Sequence, residues 1–313
     1  VPYSTIGYEI TSTKSSLSQD GYSQIEQTNT FSGDGGLHEV YAGIGWAPIK
    51  PLSLGVNLGY LWGDIEHKSV MNVSGTTNSS TPSTRQTYSA DIRTYKVDFG
   101  LQYEQRINSK NKLTLGVTYG LGHDVNRSAA FYNQRIQSGT VISGDTLNCR
   151  NAFQLPHTFG VGLTWAHNNS LRVGADYTFQ KWSNVKFPDV VTPDEYVTQK
   201  GFFADMHKVS VGAEYIPNPE GMRWRQRVRY RAGLSYATSY AKINGNDGPH
   251  DFLAALGVAL PIMNAYNSRS LINFSVQYEH VKPKTAGMIT ENYIRFSIGL
   301  TFNERWFMKW KVD

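Results

Sequence analysis

Eight histidines and one cysteine are the side chains here best suited to catalysis or metal binding, and their spacing argues against both. His38, His67, His123, His157, His167, His207, His250 and His280 fall mostly near the ends of apolar-alternating segments or in the polar stretches between them. No two stand at a separation that by itself marks a metal pair or a nucleophile with its base. Cys149 is the sole cysteine, which excludes an internal disulfide and a Cys/His zinc cluster. The glycines follow strand period and form no phosphate-binding loop between a strand and a helix. The expectation is a non-enzyme with no cofactor and no metal. A hydrolase assembled from residues distant in sequence is the catalytic alternative.

A second set of reactive side chains is charged and sits inside otherwise apolar segments: Lys96, Asp98, Arg172, Asp176, Glu214, Arg229 and Arg231. Each occupies a position interleaved with apolar neighbours, so on a strand each lies on the face opposite to them. A sandwich core would pay heavily to desolvate charges at so many strand centres, whereas the polar lumen of a barrel would not. Within a lumen they can neutralise one another or form a ladder that guides solutes, for instance Asp98 with Arg229 or Arg231. Mutual neutralisation is the favoured reading.

The elements that must hold these charges repeat through the chain. Val40 to Trp46, Leu52 to Trp62, Tyr95 to Tyr103, Leu113 to Leu121, Phe159 to Trp165, Leu171 to Phe179, Val209 to Tyr215, Val228 to Tyr236, Phe252 to Leu260, Ile272 to Tyr278 and Ile294 to Phe302 each alternate with period two. With Tyr3 to Thr13 they make about twelve strands. Their connections alternate short and long, as in an up-and-down barrel with short periplasmic turns and long extracellular loops. The fold expected is therefore all-β, a transmembrane up-and-down antiparallel β-barrel occupying residues 1–313 as one domain. Long extracellular loops are expected near 15–36, 63–90, 122–156 and 183–207, with a periplasmic tail at 303–313.

Composition agrees. Aromatic residues make up 13% of the 313 residues, with 19 Tyr and 7 Trp, a bias toward strands. The mean hydropathy of −0.41 is compatible with a barrel, which hides half of each strand from lipid. Trp46, Trp62, Trp165, Trp306 and Trp310 are placed to anchor at membrane interfaces. Glycine falls repeatedly on the polar face, at Gly43, Gly55, Gly100 and Gly116 among others, which suits a curved wall or a crowded lumen. The formal charge of +5 is scattered, which argues against nucleic acid as a partner. The opening Val1-Pro2-Tyr3-Ser4 lacks a basic-then-apolar layout, so either a leader has been removed or the sequence is not a complete gene product.

Four segments carry a resemblance: Val1 to Tyr8, Leu52-Ser-Leu-Gly-Val-Asn-Leu-Gly-Tyr60 with Trp62-Gly63, Leu171-Arg-Val-Gly-Ala-Asp-Tyr177 with Trp182, and Tyr293 to Phe302. They resemble the FadL-type outer-membrane transporters of hydrophobic compounds. That resemblance implies a fourteen-stranded barrel in the bacterial outer membrane, plugged by an N-terminal hatch, that passes fatty acids or aromatic hydrocarbons. It also implies lateral exit through a kinked third strand, which here maps to Pro2 and Gly7. The chain departs from the family in showing about twelve strands and no hatch-like Asn-Pro-Ala element. Passive uptake of a small hydrophobic ligand is the first expectation. The alternative is a non-transporting accessory barrel in a larger outer-membrane assembly, such as a secretion or barrel-insertion complex. Expected partners are outer-membrane lipid, a hydrophobic small molecule and an outer-membrane protein complex.

Overall fold

The computed structural model describes residues 2–17, 24–74, 81–125, 129–150, 152–192, 195–243, 245–262, 270–284 and 289–302. Among them one antiparallel sheet dominates. Its strands are β1 (Pro2–Leu17), β2 (Gln24–Ile49), β3 (Leu52–Ser74), β4 (Ser83–Arg106), β5 (Asn111–Gly120), β6 (Ala129–Gln137), β7 (Thr140–Cys149), β8 (Thr158–His167), β9 (Leu171–Gln180), β10 (Met206–Tyr215), β11 (Arg229–Thr238), β12 (His250–Ile262), β13 (Ser270–Lys282) and β14 (Glu291–Thr301). Twelve of them pair in chain order as a meander, β1 to β5 and then β8 to β14. The other two, β6 and β7, form a hairpin added to the far part of β4, where Ala90 faces Ala129 and Ser83 faces Ile136. The sheet thus holds fourteen strands, two of them on a branch.

The two faces have the expected chemistry. Ile44 is 81% exposed, Leu256 68% and Ile298 78%, and these residues belong to a continuous outward band with Leu58, Leu115, Val161, Val211, Leu234 and Phe274. An apolar surface of this extent is unstable against water and stable against hydrocarbon, where a sheet also has every reason to pair its backbone groups. No helix among the described residues is long and apolar enough to cross a membrane. Strands do the crossing.

Short turns lie at one end. Asn168 and Asn169 both take positive φ (49° and 55°), and Ser170 N–H donates to His167 O at 2.9 Å, the tight turn that matches strand twist. At the β4–β5 turn, Asn108 Oδ1 accepts from Lys110 N and Asn111 N at 2.9 and 2.8 Å. The β10–β11 connection is longer and carries a 3-10 turn, Trp224–Arg227, pinned by the indole N–H of Trp224 to Pro261 O at 2.9 Å.

At the other end the chain is more ordered than alternation suggests. A strand needs about 9–11 residues to cross a membrane, yet β2, β3 and β4 have 26, 23 and 24. Of residues 15–36 and 63–90, expected as loops, those described are almost all strand, and they prolong the wall into an arm. Within 122–156 lies the β6–β7 hairpin, and within 183–207 the hairpin Phe187–Thr192 with Glu195–Gln199. Alternation fails to reveal these strands because, away from lipid, neither face has to be uniformly apolar. The arm leaves the wall at a glycine kink: Gly35 (φ +127°) and Gly63 (φ +150°) sit on adjacent strands, and a Cβ on either would strike the partner backbone, at Asp64 O and Gly36 O respectively.

Edge pairing follows a simple rule. Strand β14 pairs with β13 alone and β1 with β2 alone among the described residues. The closing stretch Tyr293 to Phe302 therefore does not pair with Tyr3 to Thr13, as a twelve-stranded closure would require.

Candidate functional site

Inside the long-loop end, between the arm and the inward-folded connections, is a cavity of about 710 Å3. Its wall side comes from inner-face positions of the strands: Leu37 of β2, Leu61 and Ile65 of β3, and Tyr88 and Ile92 of β4. Leu61 is fully buried. Its cap comes from the connections, through Phe153, Trp182, Val185, Phe187, Phe203 and Tyr240. These rings hold one another: Trp182 stacks on Tyr240 at 4.4 Å, Phe203 meets Phe187 edge-on at 5.6 Å, and Phe187 lies 6.1 Å from Tyr88. Aromatic contacts of this kind add about 0.5–1.5 kcal/mol each beyond the area they bury.

Polar anchors fix the cap. Trp182 Nε1–H donates to Gln180 Oε1 at 2.8 Å, Ser183 N–H to Asp205 Oδ1 at 2.8 Å, and Lys186 N–H to Gln154 Oε1 at 2.8 Å. Gln154 is held in turn by its side-chain amide on Asp124. Behind the wall, Ala90, Ala129, Leu147, Cys149 and Ala152 form a small closed core against which Tyr88, Phe131 and Phe153 rest. The branch hairpin is what supplies Phe131 and Cys149 to the cavity.

Two features break its apolar character. The Tyr88 hydroxyl is buried without a hydrogen-bond partner. Burial pushes its phenol up from the ordinary value, and the neighbouring Cys149 adds to the effect, so the group stays a neutral O–H donor. Burial also raises the Cys149 thiol. At the opposite side the cavity meets Lys96 and Asp98. Lys96 Nζ lies 3.0 Å from Asp98 Oδ2 and 3.5 Å from Glu39 Oε1, one ammonium shared between two carboxylates. The arrangement suits an apolar molecule with a hydrogen-bond acceptor at one end.

The remaining inner-face charges also find neighbours. Glu214 receives Arg231 Nε at 2.8 Å and Arg229 Nη1 at 3.9 Å. Arg172 faces Glu214 in register, and Asp176 faces Gly162 on one side and Ser210 on the other. Asp98 does not meet Arg229 or Arg231, because β5, β8, β9 and β10 stand between their strands. The pairs lie within one strand or between strands at most two apart in the sheet.

Of the residues matched to a lateral gate, Pro2 lies opposite His38, beside a register shift between Pro2 and Ser4, and Gly7 pairs regularly with Asp34. Both thus belong to the rim and arm. Trp46 (65% exposed) and Trp165 (37%) flank the outward band at the short-turn end, and Trp62 (37%) flanks it at the other, stacked on Tyr60 at 5.8 Å. Trp306 and Trp310 lie outside the described residues. Among the described residues no group of His, Cys, Asp and Glu could hold a metal. The aromatic cap was missed in sequence. Its only signal was the run of rings, Phe153, Trp182, Phe187, Phe202 and Phe203, inside otherwise polar stretches.

Comparison with known proteins bears on the fold and the family. A Pseudomonas aeruginosa FadL homologue superposes with a TM-score of 0.56 at 10% identity, over 88% of this chain and 70% of that one. The Ralstonia pickettii toluene transporter TbuX gives 0.54 at 15% identity, over 95% and 87%. At these identities the likeness establishes a FadL-like β-barrel fold. A search of curated proteins finds no significant match. The BamG family model matches residues 1–313, the whole sequence. The chain therefore belongs to the BamG family.

Proposed function

We propose that this protein is an outer-membrane barrel that takes up a small hydrophobic compound at its extracellular end, in the cavity beneath the aromatic cap. The observation that carries this is the cavity itself: about 710 Å3, walled by Leu61, Ile65, Ile92, Phe131, Phe187 and Phe203, with the unpaired Tyr88 hydroxyl as a polar contact. Its size lies within the range of drug-sized ligand sites. The FadL-like fold supports the reading, since the TbuX it resembles is a toluene transporter. Titrating the detergent-purified protein with toluene and with a medium-chain fatty acid, followed by quenching of its tryptophan fluorescence, tests it. Leu37→Trp, at a partly exposed position on the cavity wall, should weaken binding by about tenfold or more, the equivalent of ~1.4 kcal/mol. Equal binding by both proteins removes the cavity as the site.

A second reading is favoured by the family match. Membership of BamG over the whole chain fits an accessory barrel in a larger outer-membrane complex, and the arm of β1 to β4 offers such a partner a surface beyond the membrane. Gentle extraction from native membranes separates the two readings. Stoichiometric outer-membrane proteins on the purified barrel support the accessory role; a barrel that purifies alone with lipid or fatty acid inside supports uptake.

A further inference from the structure

Two histidines, His207 and His250, stand at one level on the outward face and a third, His157, one step beyond it, where the apolar band ends at the long-loop side. His207 follows Phe179 in the row that runs Tyr119, Phe159, Phe179, His207 across β5, β8, β9 and β10. Across β11, β12 and β13 the row continues as Thr238, His250 and Lys282, with His207 N–H donating to Thr238 Oγ1 at 2.9 Å. His157 sits one step farther out, beside Tyr119. The row one step toward the membrane centre is apolar or aromatic from β5 to β12, with Val117, Val161, Tyr177, Val209, Tyr236 and Phe252, and turns polar on β13 and β14 at His280 and Asn292. These histidines therefore mark the boundary between hydrocarbon and headgroups.

Each is oriented in the same way. Tyr119 Oη lies 2.9 Å from His157 Nδ1, Tyr177 Oη 2.8 Å from His207 Nδ1, and Tyr236 Oη within hydrogen-bond distance of His250 Nδ1. The ring planes of each pair are within 28° of parallel. A phenol is the stronger proton donor, and Gly122 N–H also donates to His157 Nδ1 at 3.2 Å, so Nδ1 is the acceptor. The neutral ring then carries its proton on Nε2, which has no protein partner among the described residues. Lys282 lies in register beside His250, and Lys284 joins the same rim, held 2.9 Å from Asp247. The result is a row of donors and cations directed at the headgroup layer.

We infer that this row, His157, His207, His250 and Lys282, binds the phosphate groups of outer-leaflet lipids. Phosphate presents several acceptor oxygens and a negative charge, the complement of Nε2–H donors and an ammonium. The phenol on Nδ1 fixes each ring so that the donor stays aimed. The inference rests on the membrane-spanning reading of the outward band and is independent of the cavity.

The test uses dodecyl-maltoside-purified protein and two lipids with the same acyl chains, phosphatidic acid and the phosphate-free diacylglycerol, with affinities read by native mass spectrometry. The protein should prefer phosphatidic acid by about tenfold, the scale of one or two charge-assisted hydrogen bonds. The triple variant His157→Phe, His207→Phe, His250→Phe, which keeps ring volume and apolar fit, should lose that preference while retaining the parent's strand content by circular dichroism. Should the triple variant fail to fold, His207→Phe alone is expected to reduce the preference two- to threefold, about 0.4–0.7 kcal/mol. Equal affinity for the two lipids in the parent protein, or an unchanged preference in a folded variant, overturns the inference.

Discussion

Lys96 and Asp98, two positions apart on β4, point to the same side of the sheet and meet at 3.0 Å, with Glu39 of β2 completing the cluster at 3.5 Å. The lysine is the common partner of two carboxylates. Lys96→Met should remove the cation that Asp98 and Glu39 share, at a cost of about 1 kcal/mol for groups this exposed. Lys96→Arg should recover most of it. The midpoint of urea unfolding in detergent micelles measures both, and a Met variant as stable as the parent shows that the carboxylates are satisfied otherwise.

The opposite faces of one strand give a second expectation. Val117 is outward and 42% exposed, whereas Thr118 is on the inner face, its hydroxyl over Gly160. Val117→Arg should impair folding into lipid by about 2–4 kcal/mol, the cost of a cation on the lipid face near mid-depth. Thr118→Arg should cost far less. Folding yields into vesicles at a series of urea concentrations compare the two, and equal losses contradict the face assignment.

Tyr88 links the cavity to pH. Its phenol is raised in the folded protein above the ordinary 10.0, so above that pH the unfolded chain loses a proton that the folded chain keeps. Stability must then fall as pH rises past about 10, because the folded state binds more protons. Tyr88→Phe should flatten that alkaline decline. At neutral pH the substitution also removes an unpaired buried hydroxyl, so stability should hold or rise by about 1 kcal/mol. A ligand with a hydrogen-bond acceptor should bind the variant less well. Thermal unfolding at pH 8 and pH 11 reads the first effect, and an identical alkaline slope in both proteins excludes Tyr88 as its source.

The arm depends on its glycine kink. At Gly63 an alanine would meet both a positive φ and the carbonyl of Gly36. Gly63→Ala should destabilise by about 1–3 kcal/mol. Gly55→Ala, whose Cβ would rest in ordinary contact 3.7 Å from Ile44 O, should cost much less. Protease protection of β2 and β3 beyond the kink is the sensitive measure, and equal protection in the two variants argues against a special role for the bend.

What the amino-acid sequence determined by itself was everything that a lipid solvent enforces. Within the membrane one face of each strand must be apolar, so period two marks Leu52 to Trp62 or Phe252 to Leu260 without ambiguity, and the charges at Asp98, Glu214 and Arg231 are placed on the inner face by parity alone. The tight turn at Asn168 and Asn169 is likewise local chemistry. Tertiary structure decided the rest. Beyond the membrane no solvent imposes alternation, so the extensions of β2 to β4 and the branch β6–β7 carry no periodic signal, and only pairing to neighbours reveals them. Ion-pair partners depended on strand order, which gave Glu214 to Arg231 on the next strand and kept Asp98, with Lys96 on its own strand, away from Arg229 and Arg231. The cavity required Leu61, Phe131, Phe187 and Tyr240 to converge from separate parts of the chain. Such convergence is set by how connections fold back over the barrel mouth, a long-range contact energy that no short window of sequence contains.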